Sequence, residues 1–482
     1  MKINPFATIK ELKNQISDNE ISSNELLEFC IKRFERYDEK IGSALEIFEK
    51  DSIEQQSCKQ GMLFGIPGLI KDNIAQKDRR LGCASKILEG FVSPYDSTAS
   101  SCLKKEGAFL IGRGNCDEFA MGTSGETSAY KKTANPWDLS RVAGGSSSGP
   151  IAAVAAGFVP WGLGSETGGS VRLPAAFCGI VGLKPTYGLI SRYGLVAYGS
   201  SLDQIGVATR TVSDNATVLS VLAGQDLHDS TSLAVNKKDY TQALDGKLRE
   251  GLSIGVVDNA LEAQGLDPEI KKIVQEAIKQ LEDLGATIVH LTLPAMEYTA
   301  AAYFIISRAE AASNLARFDG VRYGMRAKDA RTLLELYENT RHDGFGDEVQ
   351  RRIMVGNYVL SAGHQDEYYG NAKKVQQAIR REFEEAFKNV DLLAMPTHSI
   401  PAFKFDAFKD NKLALDLLDY YTLPVNLAGI PALSIPCGFT YNKLPVGFQL
   451  IGPHLSEELI YQTAYAYEQQ TPWHTMHPKG FE

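Results

Sequence analysis

Apolar and polar positions along this chain follow two rhythms. Over residues 268–284, Ile270, Ile273, Val274, Ala277, Leu281 and Leu284 recur at helical spacing and share one face. Asp267 stands at the N-cap position, Pro268 suits the first turn, and Gly285 ends the repeat. Apolar runs flank this helix, Ser253 to Val257 before it and Thr287 to Leu293 after it, the second closed by Pro294. The pattern predicts a strand–helix–strand unit, which favours helices packed on a largely parallel sheet.

The first 60 or so residues read as helices. Ser22-Ser23-Asn24-Glu25 has the form of a capping box ahead of Leu26, Leu27, Phe29 and Ile31. These helices are expected on the outside of the domain or against a partner. Residues 61–225 are rich in glycine, alanine and serine, which let backbones approach each other or a ligand. Within them, Leu69-Ile70 and Phe109-Leu110-Ile111 predict buried strands. Ile151 to Ala156 predicts a tightly packed helix with Pro150 in its first turn. Residues 296–388 read as mostly helical and highly charged, as at Arg351-Arg352 and Arg380-Arg381-Glu382. Asp391 to Met395, Ala432 to Pro436 and Val446 to Ile451 read as returning strands. No internal repeat or clear linker interrupts the chain. The expected organisation is one α/β domain over residues 1–482: N-terminal helices over 1–60, a core carrying the chemistry over 61–225, and a helical insertion over 296–388.

The chain's 482 residues, 44% of them hydrophobic, suffice for one large core or for two to three domains. A net charge of −9 argues against a broad nucleic-acid-binding face, though it leaves room for a local basic patch. No apolar run approaches the ~20 residues that span a bilayer. Met1-Lys2-Ile3-Asn4-Pro5 lacks the apolar core of a signal peptide, and Asp18 and Glu20 argue against a transit peptide. The seven cysteines are scattered without a C-x-x-C pair, which suits reduced thiols in the cytoplasm better than disulfides or zinc.

Two glycine–serine runs carry the candidate chemistry: Gly144-Gly145-Ser146-Ser147-Ser148-Gly149 and Gly164-Ser165-Glu166-Thr167-Gly168-Gly169-Ser170-Val171-Arg172. A serine nucleophile needs a base, usually histidine, and the first histidine here is His228. Lys71 is available instead, and burial among Leu69, Ile70 and Ile74 would lower its pKa. Ser170 is the candidate nucleophile, with N–H groups of Thr167, Gly168, Gly169 and Ser170 as the oxyanion hole. Ser146 is the candidate relay, because a hydroxyl accepts and donates a proton at once. The bland readings are a tight turn feeding a strand, a flexible loop and a surface lysine. A phosphate-binding loop is excluded because no Gly-Lys-Ser/Thr follows. Gly145 to Gly149 also fits G-x-S-x-G, but a nucleophile elbow needs a preceding strand, and Asn135 to Ala143 reads as loop.

Together these runs resemble the amidase signature family, a match that continues through Leu173-Pro174-Ala175, Cys178-Gly179 and Gly182-Leu183-Lys184-Pro185-Thr186. The family's spacings recur: Ser146 and Ser170 lie 24 apart (170 − 146), and Lys71 precedes Ser146 by 75 (146 − 71). The resemblance implies a large, mixed, twisted central sheet covered by helices on both faces. It implies Ser170 as acyl-forming nucleophile, Ser146 as a serine with a cis peptide bond, and Lys71 as base. The chain departs from the usual glycine pair after the serines, reading Ser148-Gly149 and then Pro150.

Further segments are similar to one branch of that family, the glutaminase subunits of tRNA-dependent amidotransferases. They include Asp117 to Gly122, Asn135 to Asp138, Ser191 to Gly194, Ser200 to Gln204, Asp229 to Ser232, Arg351 to Met354 and Asn426 to Gly429. This resemblance implies glutamine as substrate, its carboxylate on Arg352, its ammonium on Asp419, and Tyr303 lining the pocket. It implies a heterotrimer with the amidotransferase's B and C subunits, and Glu-tRNA(Gln) bound mainly through the B subunit. It implies no cofactor in this chain, ATP and Mg used at the B subunit, and no membrane. The alternatives are a stand-alone amidase acting on another small or fatty amide, and a non-catalytic scaffold in a tRNA-modifying complex.

Overall fold

A computed structural model describes residues 3–55 and 58–482. The described strands are β1 (Ala44–Ile47), β2 (Pro67–Lys71), β3 (Phe109–Gly114), β4 (Ala134–Asn135), β5 (Asp138–Val142), β6 (Trp161–Glu166) and β7 (Val181–Lys184). They continue with β8 (Gln204–Thr209), β9 (Ser253–Val257), β10 (Thr287–Leu291), β11 (Leu392–Pro396), β12 (Ala432–Phe439) and β13 (Pro445–Ile451). Eleven of these described strands make one sheet in the order β1-β3-β2-β6-β8-β7-β12-β13-β11-β9-β10.

The predicted strand–helix–strand unit is present. Helix Pro268–Asp283 has Asp267 at its N-cap, accepting from the Glu269 N–H, and β10 lies parallel to β9. The largely parallel sheet inferred from it does not extend across the molecule. Strand β2 runs parallel to β3 and β6, whereas β6–β8, β7–β8, β7–β12 and β12–β13 are antiparallel. The sheet is therefore mixed: the short connection between β12 and β13, for one, permits only a hairpin.

Helices cover both faces. Along β11 the side chains alternate. Leu392 and Ala394 join a core that includes Leu26, Ile151, Val218 and Ile270, while Leu393 and Met395 join one that includes Ile306, Ile379 and Val425. The N-terminal helix Ser23–Ile41 starts at the expected capping box. Ser22 Oγ accepts from the Glu25 N–H at 3.1 Å, and Glu25 Oε2 accepts from the Ser22 N–H at 2.7 Å.

Two local expectations fail. Residues 44–47, within the stretch read as helical, form β1 because Ala44 to Ile47 pairs with β3. Residues 135–143, read as loop, hold most of the β4–β5 hairpin, whose strands pair with each other outside the main sheet. Both are too short to show a period and are set by their pairing partners. A strand thus does precede the G-x-S-x-G run. Its middle serine, Ser147, is nevertheless fully buried and donates to Ser165 O at 3.0 Å, whereas an elbow exposes its hydroxyl.

Candidate active site

Strand β2 is buried along its whole length and delivers Lys71 at its end. Parallel pairing sets Ile70 opposite Leu163, which brings Lys71 close to Ser165 on β6. Lys71 Nζ donates to Ser146 Oγ at 2.6 Å, Ser147 Oγ at 3.0 Å, Ser165 Oγ at 3.0 Å and Ser165 O at 3.1 Å. Asn73 Nδ2 also donates to Ser165 Oγ, at 2.8 Å. Lys71 has no exposed surface, so it is not a surface lysine. Burial pushes its pKa down to about 8, against the opposing pull of Cys116, Asp117 and Asp203. About one tenth of this amine is therefore neutral at pH 7.

The two glycine–serine runs meet here. The Gly145–Ser146 peptide bond is cis. Gly145 has no room for a side chain, since a Cβ would lie 1.9 Å from Asp117 Oδ2. The Ser147 N–H donates to Ser170 O at 3.1 Å, tying the first run to the second. Ser170 is followed by helix Arg172–Cys178, not by a strand. Among the described residues, no hydrogen bond joins the Ser146 and Ser170 hydroxyls, and the N–H groups of Gly168, Gly169 and Ser170 find no acceptor. Those amides are free to donate to an oxyanion.

A buried ion pair shapes this turn. Glu166 Oε2 accepts the N–H groups of Val171 and Arg172, each at 3.0 Å, while Glu166 Oε1 holds the Arg172 guanidinium. Arg172 also donates to Gln449 Oε1 at 2.6 Å, Thr422 O at 2.9 Å and Asn426 Oδ1 at 2.6 Å. Replacing Glu166 by alanine strands a fully buried guanidinium. Glu166→Ala is expected to cost about 3–5 kcal/mol of stability in urea denaturation. An unchanged midpoint would show that Arg172 needs no counter-charge.

The three residues expected to line the substrate pocket are brought close. A Cβ on Gly168 would lie 2.6 Å from Tyr303 Cζ, and one on Gly169 would lie 2.7 Å from Asp419 Oδ1. Both residues therefore press against the turn that precedes Ser170. Asp419 Oδ2 accepts from Thr123 Oγ1 at 3.0 Å, but its buried Oδ1 has no partner among the described residues. Burial pushes the Asp419 carboxyl up to about 7, while the Thr123 hydrogen bond opposes the rise. Arg352 is buried rather than part of a surface pair. It donates to Glu348 Oε1 at 2.7 Å, the Tyr198 hydroxyl at 2.9 Å and Asp416 Oδ1 at 3.3 Å.

Several contributors escaped the sequence reading. Ser165 and Asn73 stood inside or beside the singled-out runs without a distinguishing chemical signal. Asp203 accepts from Thr167 Oγ1 at 2.6 Å and from the Tyr198 and Gly199 N–H groups, so it anchors the turn to Tyr198. Its carboxyl is pushed up to about 6 by burial. A cavity of about 950 Å³ lies elsewhere, lined by Tyr187, Arg380, Asn426 and His454 among others, and includes neither Lys71 nor the serines of the cluster. Cavity volume is thus a poorer guide to the chemistry here than the polar cluster.

A buried lysine hydrogen-bonded to a cluster of serines sits on this mixed α/β sheet, and the chain belongs to the amidase family, whose pattern matches residues 25–461. It is 49% identical to the A subunit of the glutamyl-tRNA(Gln) amidotransferase of Cyanothece sp., over 98% of this chain and 100% of that protein. The crystal structure of the corresponding A subunit of the glutamyl-tRNA(Gln) amidotransferase from Thermotoga maritima superposes with a TM-score of 0.84 at 38% identity. That match covers 99% of this chain and 98% of the other. The peptide amidase of Stenotrophomonas maltophilia superposes with a TM-score of 0.81 at 28% identity, over 96% and 97% of the two chains. No helix among the described residues is long and apolar enough to cross a membrane.

Proposed function

We propose that this chain is the glutaminase subunit of a glutamyl-tRNA(Gln) amidotransferase. Near-complete coverage by relatives of that name supports the reading. The observation that carries it is the unpartnered, buried Asp419 Oδ1 beside Gly169, with the Arg352 charge acting on the same carboxylate. Free glutamine needs one charge of each sign, and an unpaired buried carboxylate fits its ammonium.

In this reading neutral Lys71 accepts the Ser146 proton while Ser146 accepts the Ser170 proton. Ser170 Oγ bonds to the side-chain carbonyl carbon of glutamine. The oxyanion is held by amides of the Thr167–Ser170 turn. The carbon–nitrogen bond breaks as the proton returns to the leaving nitrogen, releasing ammonia. Water then hydrolyses the ester to glutamate and restores Ser170. The 2.6 Å contact between Lys71 and Ser146 supports the first transfer.

The ammonia serves a transfer to Glu-tRNA(Gln) at the B subunit, where ATP and Mg are used, with the C subunit completing a cytoplasmic heterotrimer. No step at this chain's site is routed through ATP or Mg. The second reading, a stand-alone amidase, draws support from the likeness to the peptide amidase. Ammonia release from glutamine and from a panel of simple amides separates the two. Strong turnover of unrelated amides with none of glutamine would overturn the glutaminase reading.

Asp419 adds a pH signature. Its carboxyl must be ionised to attract an ammonium, and its pKa of about 7 leaves it increasingly neutral as pH falls. KM for glutamine is therefore expected to rise about tenfold per pH unit below 7. Asp419→Asn should raise KM and flatten that dependence. Steady-state kinetics from about pH 5.5 to 8.5 provide the check.

A further inference from the structure

The cluster around Arg352 holds more positive charge than its own carboxylates balance. Three guanidiniums, those of Arg308, Arg351 and Arg352, converge on two carboxylates, those of Glu348 and Asp416. Arg308 Nη2 donates to Asp416 Oδ2 at 2.7 Å, and Arg351 Nη2 reaches the same oxygen at 3.1 Å. Every nitrogen of Arg352 already has a partner in Glu348, Tyr198 or Asp416. Arg308 differs. It is 4% exposed, and its Nη1 is buried with no hydrogen-bond partner among the described residues.

Arg308 stands on helix Thr299–Leu315, which also carries Tyr303 against Gly168. Its counter-ion Asp416 lies three residues before Asp419, whose Oδ1 is likewise buried and unpartnered. The site thus presents one unsatisfied cationic donor and one unsatisfied anionic acceptor. The Arg308 guanidinium stacks on the Phe304 ring, 4.3 Å from its centroid, but Nη1 still lacks an acceptor, which a ligand carboxylate would supply. An α-amino acid carries both complements.

We propose that Arg308 is a specificity-determining residue that binds the α-carboxylate of the amide substrate through Nη1, beside the Arg352 N–H groups that Glu348, Tyr198 and Asp416 leave free. This inference rests on the glutaminase reading. On binding, the substrate carboxylate balances the surplus guanidinium charge, while the ammonium meets Asp419 Oδ1. Simple amides leave both groups unsatisfied and are disfavoured for that reason.

Three amides test it on the full chain: glutamine, glutaramate, which lacks the ammonium, and 4-aminobutanamide, which lacks the carboxylate. Arg308→Met is expected to lower kcat/KM for glutamine and glutaramate about 10- to 100-fold, the worth of a charge-assisted hydrogen bond. Turnover of 4-aminobutanamide should stay within about twofold. Arg308→Lys, which keeps a charge for Asp416, should show the same selective loss at smaller size and serves if the methionine variant fails to fold. Equal losses on all three amides, in whichever variant folds, would overturn the role of Arg308 and leave the glutaminase reading intact. A wild-type protein that turns over 4-aminobutanamide as well as glutamine would overturn both.

Discussion

Ser170→Ala is expected to abolish glutamine-dependent amidation of Glu-tRNA(Gln) while sparing amidation supplied with free ammonium. The glutaminase step should fall on the order of 10⁴-fold or more, because a nucleophile has no substitute in a covalent mechanism. The substitution removes only the hydroxyl. The turn keeps its supports, because they run through the backbone: the Ser147 N–H donates to the Ser170 carbonyl, and Glu166 accepts the N–H groups of Val171 and Arg172. Ammonium bypasses the site entirely and reports whether the rest of the enzyme is intact. Glutamine-dependent transfer that survives in Ser170→Ala would remove Ser170 from the mechanism. Mass spectrometry of glutamine-trapped wild-type protein, with the added mass on Ser170, checks the same point directly.

Lys71 should impose a rising limb on the pH profile. Its pKa lies at about 8, so about one tenth of the amine is neutral at pH 7. kcat/KM for glutamine is expected to climb about tenfold per unit between pH 7 and 8, more steeply below 7 where Asp419 also protonates, and to level off above 8. The sign follows from the proposed mechanism, in which the neutral amine is the base: that form gains population as pH rises. The same depressed pKa makes the native state bind fewer protons than the unfolded chain between about 8 and the ordinary lysine value of 10.5. Its contribution to stability therefore rises across that window. Lys71→Met keeps the buried stem but removes the amine, and should lower turnover about 10²–10⁴-fold while erasing the limb. A limb unchanged in Lys71→Met would assign the titration to another group.

Much of this site was legible because its chemistry is local. Gly145, Ser146, Gly168, Gly169 and Ser170 stand in short runs where small residues serve close backbone approach. The 24- and 75-residue spacings then joined them to Lys71. The helix from Pro268 was legible for a different reason, since its cap, apolar face and terminating glycine are all encoded within one short continuous segment. The strand Ala44–Ile47 and the hairpin at 134–142 were not legible, because partners elsewhere or only a few residues away define them.

The sequence by itself determined the amidase family, the three candidate catalytic groups and the absence of an early histidine to serve them. It did so because these residues act through identity and spacing. Only the tertiary structure decided that Lys71 is buried among three serine hydroxyls, and burial lowers its pKa toward use as a base. The fold also decided which charges remain unpaired. Asp419 Oδ1 and Arg308 Nη1 lie far from Lys71 in the chain, and their lack of partners is a property of packing that no motif records.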